Sequence, residues 1–174
     1  MNASDLQAHA HELIAYPASS PTLNPSEVKL RRAGSASYYA LFHTLTASGS
    51  RVFSSGGDAL KSQVTRAYNH AAMRKVYDAY VRSPNTPFPP LLAQLNPGAP
   101  DIRLINVART FARLQDARHL ADYDLASPIS YFEVVALVTA ADAALTDFQA
   151  IEAQPETTVF LTALLLADRW TRRG

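Results

Sequence analysis

The chain predicts an all-α fold, an antiparallel helical bundle of five or six helices, on three observations. Apolar residues recur at spacings of three and four along most of the chain, no alternating strand pattern runs longer than a few residues, and capping residues stand before most of the apolar stripes. With 174 residues, 48% hydrophobic side chains and no cysteine, the sequence predicts a single helical domain over 1–174. A chain of that size buries enough surface to fold without disulfides or a structural metal.

Taken in order, Ser4 is placed to cap a first helix running to about Tyr16, where Pro17 and the run PASSPTLNP break it. Asn24 and Pro25 make a cap and first-turn pair for a second helix reaching Gly49. Within it Gly34, Ser35, Ala36, Ser37 and Ala40 are small enough to admit a neighbouring helix closely. Gly56 and Gly57 interrupt the chain before Asp58, which opens a third helix through Val81. Residues 83–100 hold six of the eleven prolines and predict an irregular connection. Asp101 caps a fourth helix whose Leu104, Val107, Phe111, Leu114, Arg118, Ala121 and Leu125 share one face. Ser130 with Glu133 forms a capping box for a fifth, with Val134, Leu137, Ala141, Leu145, Phe148 and Ile151 as its stripe. Gln154 and Pro155 separate it from a last helix ending near Trp170.

Net charge is +1, but its distribution is uneven. Residues 29–118 hold thirteen basic residues against four acidic ones, a balance of +9, between acidic ends of −3 and −5. Such a basic body fits either a phosphate-facing surface or charges that complement one another between packed helices or subunits. Without cysteine there is no thiolate chemistry and no Cys-based zinc site. The nucleotide-binding glycine loops, the H-E-x-x-H and paired Glu-x-x-His metal motifs and the G-x-S-x-G elbow are all missing, so no cofactor or metal is expected. The amino-terminal stretch lacks the features of a signal peptide, and the most apolar run, Val159 to Ala167, is too short for a membrane span. A cytoplasmic location is the expectation.

Arg118 is the most informative position, because a guanidinium in phase with apolar residues needs a partner or a ligand. Asp122, four residues on, is one partner; a phosphate held bidentately is the other reading. His119 and Tyr123 form a second i, i+4 pair on the neighbouring face, with Asp116 placed to orient the imidazole. Arg66, His70 and Arg74 fall on one side of the predicted third helix, continued by Tyr77. They read either as a phosphate-contacting row or, for His70, as a core histidine. His9 and His11 point apart.

Two stretches resemble the HEPN superfamily of small helical domains: LRRAGSASYYALFHTL (Leu30 to Leu45) and FARLQDARHLADYDL (Phe111 to Leu125). His70 also stands where one branch of that family often carries a histidine, and the resemblance covers about residues 25–150. It implies a helical bundle, paired as a homodimer, that binds RNA or nucleotides in prokaryotic toxin–antitoxin or defence systems, with a cognate antitoxin or nucleotidyltransferase as partner. Active members are metal-independent ribonucleases with an R-x(4-6)-H motif at the dimer seam. On that pattern Arg118 matches the family's arginine and His119 the polar residue after it, while Tyr123 occupies the place of the missing histidine. Arg118, His119 and Tyr123 are thus the catalytic candidates, with a degenerate motif, and Asp122, Arg66, His70, Arg74 and Arg32 the substrate-binding ones. An active endoribonuclease toxin and a non-catalytic partner subunit are the alternatives.

Overall fold

The computed structural model describes residues 2–16, 25–82, 94–95, 98–124 and 126–167. Among these the chain is all-α, with seven helices and no strand: α1 Ala3–Ile14, α2 Glu27–Phe53, α3 Asp58–Arg66, α4 His70–Val81, α5 Ile102–Tyr123, α6 Tyr131–Ile151 and α7 Pro155–Leu165. They group into two compact units. Unit 1 takes Met1–His43 and Thr110–Leu145, unit 2 Thr44–Arg109 and Thr146–Gly174, so α2, α5 and α6 contribute to both.

In unit 1, Ala10 of α1, Leu30, Ala33 and Ala36 of α2, and Val134 and Val138 of α6 form one buried cluster. Fully buried Tyr38 packs its ring 5.2 Å from that of Phe111 on α5. Asp142 interrupts the apolar face of α6 and is bound by two α1 side chains. Gln7 Nε2 donates to Asp142 Oδ1 at 2.8 Å and to the Val138 carbonyl at 3.1 Å, and His11 Nε2 lies 2.9 Å from Asp142 Oδ2. A buried amide with its donors so placed fixes how α1 lies on α6.

In unit 2, α4 packs on α7 through Tyr77 and Tyr80, whose rings meet Phe160 edge-on at 5.9 and 5.0 Å. Thr157 Oγ1 donates to the Ile151 carbonyl at 2.7 Å and so ties the end of α6 to the start of α7. A methyl group at Gly49 would fall 1.8 Å from the Tyr68 hydroxyl, so here α2 needs glycine for a close approach.

Several boundaries differ from the sequence reading. Asn2, rather than Ser4, caps α1, in a capping box with Asp5, while Ser4 Oγ donates to the Asn2 side chain at 2.6 Å. The single helix expected from Asp58 to Val81 is two. Asn69 Oδ1 accepts from the backbone N–H of Ala71 and Ala72, which starts α4 afresh and raises the helix count above six. α2 continues past Gly49 to Phe53, and Pro155 is the first residue of α7 rather than a spacer. Asp101 caps α5 as expected, its Oδ1 accepting from Arg103 N–H at 2.8 Å. Asn24, Leu125, Trp170 and most of the 83–100 connection lie outside the described residues.

Gly34 also departs from expectation: among the described residues nothing lies within 4 Å of where its Cβ would be, so no described helix approaches it closely. Val159 to Ala167 is short, as expected, but a longer helix matters here too. Among the described residues one helix, α6, is long and apolar enough to cross a membrane by length and composition, with a mean hydropathy of 1.5. Asp142 and Asp147 break that run residue by residue without lowering its average enough. A core helix has the same signature, and Val134, Val138, Ala141 and Phe148 of α6 are buried.

Candidate functional site

α5 and α2 together build the surroundings of Arg118. Phe111 and Leu114, seven and four residues before it, are fully buried, so the helical period turns Arg118 toward α2 at the edge of the unit 1 core. Tyr38 and Tyr39 receive it, with the guanidinium carbon 5.5 and 5.4 Å from their ring centroids. Both distances fall within cation–π range. Arg118 Nε lies 3.0 Å from Asp122 Oδ2 with its N–H out of line, so that contact is Coulombic, and the side chain keeps 27% of its surface exposed. Burial pushes the Tyr38 hydroxyl above the ordinary phenol pKa, against the lowering effects of Arg118's charge and its hydrogen bond. Arg118 thus lies against two tyrosine rings, with its side chain partly exposed.

His119 and Tyr123 stand beside it on the exposed face, their rings 4.9 Å apart, with Tyr123 71% exposed. The His119 imidazole is exposed, one position along α5 from Arg118.

The row expected from Arg66, His70, Arg74 and Tyr77 does not form. Arg66 ends α3 and His70 begins α4, and the break at Ala67–Asn69 removes the shared helical phase. Arg74 Nε bonds Asp78 Oδ1 at 2.9 Å, and Tyr77 is buried against Phe160. These residues belong to unit 2, whereas Arg32, Arg118, His119, Asp122 and Tyr123 belong to unit 1. Arg32 is exposed on α2.

Its neighbour Arg31 has the more demanding position. Arg31 is 8% exposed, and all five of its N–H groups are used. Nε and Nη2 donate to Glu27 Oε1, Nη1 to the carbonyls of Leu120 and Asp124, and Nη2 also to that of Ser127. A cation on the last carbonyls of α5 satisfies acceptors that the helix leaves open and opposes its dipole. Asp124 braces the same corner by accepting from Ser127 Oγ and from the N–H groups of Ala126 and Ser127. Those bonds hold its carboxyl below the usual range. Neither the Arg31 clamp nor the tyrosine bed was identified from the sequence. The Glu27–Arg31 spacing of four signalled the first, and the adjacent Tyr38 and Tyr39 on the helix facing Arg118 signalled the second.

Beside the clamp, unit 1 holds a cavity of about 550 Å³ between α2, α5, residues 127–129 and the start of α6. No protein-family model matches the chain, and no curated protein or solved structure matches it.

Proposed function

We propose that this chain is a HEPN-like helical-bundle domain that acts as a homodimer and binds RNA or a nucleotide-bearing partner through Arg118, its catalytic motif degenerate. The observation that carries the reading is the tyrosine bed beneath Arg118. A partly exposed guanidinium already packed against two rings loses less rotamer freedom than a free one when it meets a phosphate, which it can hold bidentately. The two motif stretches support the same reading, since α2 brings Tyr38 and Tyr39 and α5 brings Arg118. A prokaryotic toxin–antitoxin or defence setting, with an antitoxin or nucleotidyltransferase as partner, follows from that resemblance.

Filter binding of a short RNA at low salt tests it. Wild type retains the RNA and Arg118→Ala, folded by circular dichroism, loses at least about tenfold in affinity; equal retention at every concentration rejects the proposal. The exposed His119–Tyr123 pair favours a second reading, a metal-independent endoribonuclease. Cleavage of RNA in chelator by wild type, lost in His119→Ala, establishes that reading in place of the degenerate one.

A further inference from the structure

Gly34 sits in the interior of α2 with ordinary helical backbone, where glycine costs about 1 kcal/mol relative to alanine. Glycine in a helix is normally explained by a close contact or a positive φ. Neither applies, because no described atom lies within 4 Å of the Cβ position of Gly34 and no described residue, glycine included, has a positive φ. That open space belongs to the 550 Å³ cavity, of which Gly34 forms part of the wall. The missing side chain keeps the cavity from filling.

The volume lies in the range of small-molecule sites, about 300–1,000 Å³. Leu30, Ala117, Ala121, Ile129, Val134 and Leu137 make its walls apolar. Of the two arginines that line it, Arg31 is buried and has no N–H left for a ligand, and Arg113 is exposed, so an anion entering the cavity meets no free buried guanidinium. At the rim the exposed carboxylates of Asp116 and Glu133 outnumber the exposed guanidinium of Arg113. Phe132, 77% exposed, and Leu120, 46% exposed, offer apolar surface at the same rim. From this we infer that the unit 1 cavity is a binding site for a small aromatic molecule without an anionic group. The site is separate from phosphate recognition at Arg118 and stands whether or not RNA binds.

Indole and indole-3-acetate, titrated into the full chain by calorimetry, form a matched pair of probes. Wild type binds indole, and indole-3-acetate at least about tenfold more weakly. Gly34→Leu, which puts a side chain into the open space, and Ala121→Leu, from the opposite wall, each weaken indole at least about tenfold. Gly34→Leu also melts no lower than wild type, because it improves helix propensity; Ala121→Leu serves if that variant does not fold. No heat with indole, equal affinity for the two probes, or wild-type affinity in the folded filled variants overturns the inference. So does sedimentation in which wild type is a dimer and Gly34→Leu a monomer, since the occupant is then a side chain of a second copy.

Discussion

Arg31 and Arg32 are adjacent in sequence and opposite in role, and the difference is helical phase. Arg31 faces inward at the C-terminal end of α5, where it serves three carbonyls and Glu27; Arg32 faces solvent. Replacing Arg31 by Ala leaves those carbonyls without their donor, and urea denaturation should show a loss of about 3 kcal/mol. Arg32→Ala should change stability by less than about 0.5 kcal/mol. Gly49 makes a second residue-scale prediction. Gly49→Ala collides with the Tyr68 hydroxyl and should destabilise by about 1–3 kcal/mol. That hydroxyl is buried with no hydrogen-bond partner among the described residues, so Tyr68→Phe alone should cost little and should recover part of the Gly49→Ala loss. A double-mutant cycle reads the coupling. From sequence alone a double arginine does not show that either turns inward; that Arg31 does depends on where α5 ends, and no local pattern in α2 encodes it.

At the scale of elements, the apolar stripes were legible because burial follows the 3.6-residue period: Leu104, Val107, Phe111 and Leu114 are all fully buried as their spacing predicts. The break between α3 and α4 was not legible, because Ala67, Tyr68 and Asn69 include neither glycine nor proline. Asn69 in mid-helix and Asn69 as a cap look alike until the chain's direction is known. The cap is testable: Asn69→Ala should cost about 1 kcal/mol in thermal or denaturant unfolding, whereas Asn69→Asp should retain most of the stability. The α5–α6 corner predicts a pH dependence. Asp124 has its pKa lowered in the folded chain, first by the Ser127 side chain and then by backbone N–H groups. Its contribution is therefore complete above the unfolded carboxylate value near 4 and is lost as pH falls through the lower folded value. Wild type should lose stability over that acid window more steeply than Asp124→Ala, and parallel acid-unfolding curves would remove Asp124 from the account.

For the whole molecule, the uneven charge has a partly structural resolution. Arg31, Arg51 and Arg118 of the basic segment pair with Glu27, Glu152 and Asp122, which lie outside it, and Arg74 and Arg103 pair with acids inside it. Of these pairs only Arg51–Glu152 joins separate elements; the others are local to one helix or its cap, so pairing along the helices accounts for part of the basic excess, while Arg32, Arg66, Arg109 and Arg113 remain exposed. The candidate site was half legible. Arg118 declared itself as a charge in an apolar stripe, but its bed comes from tyrosines nearly eighty residues earlier, and only the packing of α2 on α5 brings them together. The salt dependence of RNA binding tests the central claim most directly. If Arg118 contacts a phosphate, Arg118→Ala weakens binding and lowers the slope of log affinity against log salt by about 0.7 for a single strand. An affinity and a slope that both match wild type across the salt range would contradict a phosphate-binding role for Arg118.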